Sequence, residues 1–280
     1  MKIFVIGSAR LDAYRQVGDS LAGRFLTHHL MPFSLKELQG AKYEADAKRL
    51  IERGGFPEPF LKEDDNDAKR WRNQYIDGLI RYDILDFERI HDFKAIQLVF
   101  QLLRHKVGSP ISYKTISEDV GISPVTAKKY ISILEALYII FSVTPHSQNI
   151  ARSLLKEPKI YFFDTGLVSG DNGKKFENMT AHCILKNIYA LTDYEGDRWE
   201  LKYLRTKEGK EVGFCVTKNN IIQELIETKY SDGNLSNNLR FFCNKYNLKG
   251  KQVVFDLKRE RELENIKIID AKHYLESLYM

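Results

Sequence analysis

Four charged side chains in the C-terminal half of the sequence have the types and spacing for metal-dependent chemistry. Glu177 falls in a predicted helix, Glu211 opens a predicted strand, and Glu227 and Lys229 end the next strand. Because side chains two apart on a strand share a face, Glu227 and Lys229 are expected to point the same way. Carboxylates could hold Mg²⁺ or Mn²⁺ against a phosphodiester, and the lysine could orient the attacking water. The alternative is an exposed strand face with alternating charges, which is the commoner cause of a Glu-x-Lys pattern.

A second candidate site lies in residues 92–145, which are predicted to form three helices and an exit strand. A turn at Gly121, a helix cap at Ser123 and Pro124 at the first helical position match a helix-turn-helix, and the exit strand suggests a wing. In this motif the second helix enters the major groove of double-stranded DNA. The side chains predicted to contact DNA are Lys114, Ser123, Thr126, Lys128, Lys129 and Arg152. The alternative is a helical module that packs against protein, with surface lysines that serve solubility.

Basic charge is concentrated around that segment. The whole chain has 43 basic and 38 acidic residues and a net charge of +5, which alone says little about a polyanionic partner. Residues 101–160 hold eight basic and four acidic residues, a local charge of +4, whereas residues 41–100 hold eleven and thirteen. A basic segment inside a nearly neutral chain is the electrostatic footprint expected of a nucleic-acid-binding protein.

Length and composition exclude several classes of protein. With 280 residues, 43% of them hydrophobic, the chain is long enough for two or three packed domains and is not a disordered protein. No apolar run approaches the roughly 20 residues that span a bilayer, so no membrane partner is expected. The three cysteines are far apart, which excludes a disulfide framework and predicts a cytoplasmic protein.

Five stretches of the C-terminal half carry a family resemblance: 158–167, 176–178, 203–206, 211–214 and 226–231. They resemble the C-terminal domain of a large bacterial and archaeal group of AAA-type ATPases, a domain similar to the restriction-endonuclease-like PD-(D/E)XK fold. The resemblance implies that Glu177 is the helix carboxylate, that Glu227 and Lys229 are the Glu-x-Lys pair, and that Glu177 and Glu227 are the metal ligands. Gly213 stands where the family has its central aspartate. Because glycine offers no ligand atom, a degenerate nuclease is expected.

The N-terminal stretches 6–10, 19–24, 30–35 and 54–58 extend the resemblance. They are similar to the fourth strand, the following helix end, the fifth strand and the helical lid of an AAA core. The resemblance implies that Ser8 senses the γ-phosphate of the nucleotide and that Arg24 is an arginine finger presented to a neighbouring subunit. The alternative for Arg24 is a cation at a helix C-terminus, where the helix dipole favours it.

The phosphate-binding loop Gly-x-x-x-x-Gly-Lys-Ser/Thr does not occur in the sequence. ATP is therefore an expected cofactor only if the missing N-terminal half is supplied, and this chain alone is expected to hydrolyse no ATP. The chain is expected to be the C-terminal part of a longer gene product or a truncated relative. The expected partners are double-stranded DNA and an upstream ATPase half or other AAA subunits.

The predicted fold class is multi-domain α/β. It combines a partial AAA core with a helical lid (1–90), a winged helix-turn-helix (91–150) and a mixed α/β restriction-endonuclease-like domain (158–280). The predicted function is the DNA-associated or regulatory C-terminal part of an AAA-type ATPase. Two alternatives stay open, an active Mg²⁺- or Mn²⁺-dependent DNA nuclease and a protein-interaction scaffold.

Overall fold

The computed structural model describes residues 26, 28–41, 46–79, 92–147, 157–231 and 233–280. The predictions for Ser8, Arg24 and Arg152 therefore lie outside the described residues, as do the strand and helix predicted before residue 23.

Three helices come first in the described chain: α1 (Ala47–Arg53), α2 (Pro57–Leu61) and α3 (Asp65–Gly78). Asp46 and Asp64 cap α1 and α3 by accepting hydrogen bonds from backbone N–H groups of the first turns. Helix α3 begins inside the acidic stretch 63–67, where Asp65 and Asp67 lie in its first turn and are favoured by the helix dipole.

The next unit consists of α4 (Phe93–His105), α5 (Tyr113–Val120), α6 (Pro124–Ala136) and strand β1 (Ile140–Pro145). Its three helices and exit strand agree with the prediction for residues 92–145. Ser112 and Ser123 cap α5 and α6, each accepting a hydrogen bond from the N–H three residues on. Gly121 ends α5 at φ +77°, a left-handed conformation that favours glycine.

The rest of the chain builds a mixed sheet. The strands are β2 (Lys159–Phe162), β3 (Trp199–Arg205), β4 (Glu211–Lys218), β5 (Ile221–Lys229), β6 (Gly250–Val254), β7 (Arg261–Leu263) and β8 (Ile266–Asp270). Helix α7 (Asn172–Glu195) follows β2, α8 (Asn237–Tyr246) follows β5, and α9 (Ala271–Glu276) follows β8. The eight strands lie in the order β2-β1-β3-β4-β5-β6-β8-β7. Pairs β1/β3, β5/β6 and β6/β8 are parallel and the other neighbours are antiparallel. The predicted mixed α/β class is confirmed.

Strand β2 joins the helical unit to the sheet. On one side it pairs with β1, so the sheet continues across the domain boundary predicted near residue 150. On the other side Asn178 of α7 bonds both backbone groups of Phe162, accepting at 2.7 Å and donating at 3.0 Å. The α4–α5 turn completes the cover, since Gly108 donates to the Ile160 carbonyl at 3.2 Å. Both edges of β2 are thereby satisfied, as a buried strand requires.

The segment before α1 differs from the prediction. The sequence predicts a strand over residues 27–33, but its described part, residues 28–33, runs without regular structure over α7, where the His29 ring lies 3.0 Å from the Asp193 carboxylate. Ser34 and Glu37 form the predicted capping box, with a hydrogen bond of 2.9 Å from Ser34 N–H to the Glu37 carboxylate. The chain then makes turns up to Gly40 rather than an α-helix. Contacts with α7 therefore override the local helix signal.

No helix in the described part of the chain is long and apolar enough to cross a membrane. Cys183, Cys215 and Cys243 are buried and have free thiols.

Candidate functional site

Strands β4 and β5 and helix α7 bring the predicted nuclease-like residues together. The antiparallel register pairs Phe214 with Ile226, which places Gly213 opposite Glu227. The Gly213 N–H donates to the Glu227 carboxylate at 3.1 Å, and the Lys229 ammonium lies 3.3 Å from the other Glu227 oxygen. The prediction that Glu227 and Lys229 share a face is thus confirmed. Together with Glu177 and Glu211, Glu227 forms what we call the carboxylate cluster.

Strand β2 adds two side chains to this cluster that the sequence did not mark as functional. Lys159 and Tyr161 are two apart on β2 and so share a face. The Lys159 ammonium lies 2.6 Å from a Glu211 oxygen and 3.9 Å from a Glu177 oxygen. The Tyr161 hydroxyl donates to the same Glu177 oxygen at 2.8 Å. Lys159 is almost fully buried, with 3% of its side chain exposed, and Tyr161 is part of the core, as the sequence predicts.

Burial and like charges shape the electrostatics of the cluster. Burial raises the pKa of Glu177, while the Lys159 ammonium and the Tyr161 hydrogen bond act to lower it. The nearby Glu227 and Glu211 carboxylates raise the pKa of Glu177 further, because like charges disfavour its ionised form. Burial and the Glu177 carboxylate hold the pKa of Tyr161 well above its usual range, so its hydroxyl stays a donor.

The cluster as it stands does not fit a divalent metal. A Cβ built on Gly213 would lie 3.8 Å from the Glu227 carboxylate, so there is room for a side chain, but glycine supplies no ligand. The Lys159 ammonium already occupies the space between Glu177 and Glu211. Over the described ranges, no three His, Cys, Asp or Glu side chains are grouped so that they could hold a metal ion.

The described residues predicted to contact DNA lie on α5 and α6. Lys114, Ser123, Lys128 and Lys129 are exposed, and Thr126 is half-buried. Ser123 and Thr126 are held by each other, with their hydroxyl oxygens 2.9 Å apart. Val125, on the same turn of α6, has 79% of its surface exposed, which leaves an apolar side chain beside these polar groups.

Acidic neighbours offset part of the positive charge on α5. Lys114 lies 3.9 Å from Glu118 one helical turn on, and Lys106 lies 3.3 Å from Asp119. Lys114 and Lys106 therefore add little net charge to this surface.

The α4–α5 turn connects this surface to the carboxylate cluster. Gly108 has φ +75°, and a Cβ built on it would lie 2.7 Å from a Glu177 carboxylate oxygen. Farther along, the Arg104 guanidinium donates to the Leu167 carbonyl at 2.6 Å, and the Lys174 ammonium donates to the His105 carbonyl at 3.0 Å. The end of α4 is thus fixed to the start of α7 beside Glu177.

Asp164 links two stretches that carry the family resemblance, 54–58 and 158–167, through a hydrogen bond. The sequence alone did not predict a role for this residue. Its carboxylate is buried and accepts a hydrogen bond from Gly55 N–H at 2.6 Å. Burial raises the pKa of Asp164 to about 6, against the opposing effect of that bond and of the nearby Arg72 cation. Gly54, at φ +82°, packs so closely that a methyl group there would overlap the Asp164 carboxylate. The adjacent glycines Gly54 and Gly55 are the feature of the local sequence that could have indicated this contact.

The chain is similar to several uncharacterized proteins. A family model described as Domain of unknown function (DUF8612) matches residues 44–174. The uncharacterized protein Rv2008c of Mycobacterium tuberculosis is 26% identical over 167 residues, which cover 60% of this chain and 37% of that protein. The uncharacterized protein MJ1544 of Methanocaldococcus jannaschii is 25% identical over 254 residues, which cover 81% of this chain and 55% of that protein.

An uncharacterized protein of Haemophilus influenzae is 24% identical over 241 residues, which cover 78% of this chain and 60% of that protein. The chain therefore spans between 37% and 60% of the lengths of these relatives. No solved structure matches the chain.

Proposed function

We propose that this chain is the DNA-binding or regulatory C-terminal part of a cytoplasmic AAA-type ATPase and that its nuclease-like domain has lost catalytic activity. In this proposal α4 to β1 act as a winged helix-turn-helix, and the sheet with α7 is a restriction-endonuclease-like domain. ATP hydrolysis would need a phosphate-binding loop from an upstream half or from other AAA subunits, because this sequence has none.

The exposed N-terminal end of α6 is the observation that carries the proposal. Ala127 and Tyr130 bury one face of the helix, while Lys128 and Lys129 are exposed on the other and the N-cap residue Ser123 is exposed at the helix end. A helix held this way can enter the major groove with its first turn, where hydroxyl and amine groups reach base edges and phosphates. The exposed Val125 would suit the methyl group of a thymine.

Binding to a short fluorescent DNA duplex at low salt tests the proposal. The unmodified protein is expected to bind, and Lys128→Glu with Lys129→Glu is expected to weaken binding at least tenfold, because phosphate contacts dominate affinity. The matched control is Lys258→Glu with Arg259→Glu, an adjacent exposed pair between β6 and β7 that changes the net charge equally. Absence of binding by the unmodified protein would favour a protein-interaction scaffold.

A metal-dependent nuclease is the second candidate, favoured by the convergence of Glu177, Glu227 and Lys229. Incubation with plasmid and linear DNA, with Mn²⁺ or with EDTA, tests it. Cleavage by the unmodified protein that is lost in Glu177→Gln would establish this activity and contradict the proposed loss. Gly213→Asp assayed in parallel shows whether the absent carboxylate accounts for an inactive cluster.

A further inference from the structure

We propose that the Lys159 ammonium is the resident cation of the carboxylate cluster and takes the place that a divalent metal would otherwise fill. The proposal rests on the proposed loss of nuclease activity, but it is independent of DNA binding. It assigns a positioning role to a residue outside the Glu-x-Lys pair and explains how Glu177 and Glu211 stay together without a metal.

The placement of Lys159 supports this assignment. It enters the cluster from β2, whereas the carboxylates come from α7, β4 and β5, so its ammonium meets side chains from separate parts of the fold. Its contacts are with Glu211 at 2.6 Å and Glu177 at 3.9 Å, while the Tyr203 ring lies 5.4 Å away. Lysines are almost never this buried unless they are paired.

The balance of charges in the carboxylate cluster also supports the assignment of Lys159 as its cation. Glu177, Glu211 and Glu227 contribute three carboxyl groups, and Lys159, Lys229 and Arg205 contribute three cations, each within 4 Å of a carboxylate oxygen. Removing one partner of a buried ion pair leaves an uncompensated charge, which costs far more than the pair gains. Without Lys159, Glu177 would therefore need a proton or another cation, whereas Glu211 would keep the Arg205 guanidinium at 3.5 Å.

Lys159 and a divalent ion exclude each other for reasons of space and charge. Mg²⁺ or Mn²⁺ would have to approach carboxylate oxygens to about 2.1 Å. One Glu211 oxygen is already 2.6 Å from the Lys159 ammonium and the other is 3.5 Å from the Arg205 guanidinium, so a metal ion at Glu211 would be repelled by a nearby cation. Lys159→Met keeps the side-chain length and removes the charge, so it should open the cluster to metal.

Mn²⁺ binding in the absence of DNA tests the proposal, with free Mn²⁺ measured by electron paramagnetic resonance. Lys159→Met is expected to bind about one Mn²⁺ and to gain about 5 °C in thermal midpoint on adding Mn²⁺. The unmodified protein and Lys159→Arg, which keeps the cation, are expected to show neither change. Adding Glu177→Gln and Glu211→Gln to Lys159→Met should abolish both effects and thereby locate the ion.

Two results would overturn the proposal: equal Mn²⁺ binding by the unmodified protein and Lys159→Met at the cluster, or a folded Lys159→Met that binds none. Where Lys159→Met does not fold in EDTA, refolding into Mn²⁺ becomes the readout. Recovery only with Mn²⁺ supports the proposal, and failure to recover with Mn²⁺ overturns it. Because the assay contains no DNA, its failure leaves the duplex-binding proposal to be judged by its own test.

Discussion

The Gly213 N–H donates a hydrogen bond to the Glu227 carboxylate at 3.1 Å across the β4–β5 pair. The glycine thus uses its backbone to hold the carboxylate of its cross-strand neighbour. The position has space for a side chain, since a Cβ there would meet the Glu227 oxygen at 3.8 Å, an ordinary contact distance.

Gly213→Asp is expected to fold but to be less stable than Gly213→Asn at pH 7 by about 1 kcal/mol, because it sets two carboxylates side by side. The two variants have nearly the same shape and differ in charge. Urea unfolding at pH 7 and again near pH 3 checks this, since protonation should remove the difference. Equal stability at both pH values would show that the added carboxylate is well solvated.

Gly54→Ala is expected to destabilise the protein by more than about 3 kcal/mol, because a methyl group would overlap the buried Asp164 carboxylate. Gly196→Ala is the control for a positive φ. Gly196 has φ +79°, close to the +82° of Gly54, but its ψ is −1° and that of Gly54 is −177°, a conformation that only glycine adopts readily. No described atom lies within 4 Å of a Cβ added to Gly196. Gly196→Ala should lower the free energy of unfolding by only about 1 kcal/mol, because of backbone strain. Similar losses in the two variants would contradict the close packing on Asp164.

The Asp164 carboxyl should make the protein less stable as the pH rises from about 4 to about 6. Its pKa is raised to about 6 in the folded protein, so over this range the folded protein binds a proton that the unfolded chain has lost. Relative to Asp164→Asn, the unmodified protein should lose on the order of 3 kcal/mol between these pH values and little above them. Urea unfolding of both proteins at pH 4, 5, 6 and 7 measures the difference, and parallel pH profiles would contradict the raised pKa.

The His182 side chain should make the protein less stable as the pH falls, the opposite of the effect of Asp164. Burial lowers its pKa to about 3, so between about pH 6.5 and 3 the unfolded chain binds a proton that the folded protein excludes. As the pH falls through this range, the unmodified protein should lose several kcal/mol relative to His182→Leu, which cannot titrate. The same urea series tests this. A constant difference between the two proteins would mean that His182 is protonated in the folded state.

Elements with a strong local pattern could be predicted from the sequence. Strand β4 begins at Glu211 and β5 ends at Lys229, as the sequence predicts. Strand β7 escaped prediction because its three residues are all exposed and carry no apolar pattern. The helix predicted after Ser34 became a series of turns, since the Lys186 ammonium of α7 contacts Glu37, the second residue of the capping box. Tertiary contacts determine the structure of such a segment, and they cannot be predicted from the local sequence.

The candidate site was predictable only in part, for the same reason. The sequence and its family resemblance marked Glu177, Glu227 and Lys229, and the fold brings them together. Lys159 could not be assigned, because its contact with Glu211 depends on how β2 and β4 lie in one sheet. Strand order depends on the whole chain and cannot be predicted from the residues around Lys159.

The salt dependence of duplex binding tests the central claim most directly. Fluorescence anisotropy measures the affinity over a range of salt concentrations. The slope of the logarithm of the association constant against the logarithm of the salt concentration then reports the number of phosphate contacts. We expect measurable low-salt binding, a slope that flattens by about two in Lys128→Glu with Lys129→Glu, and an unchanged slope in Lys258→Glu with Arg259→Glu. Absence of binding at low salt, or equal loss in both variants, would contradict recognition of DNA by α6.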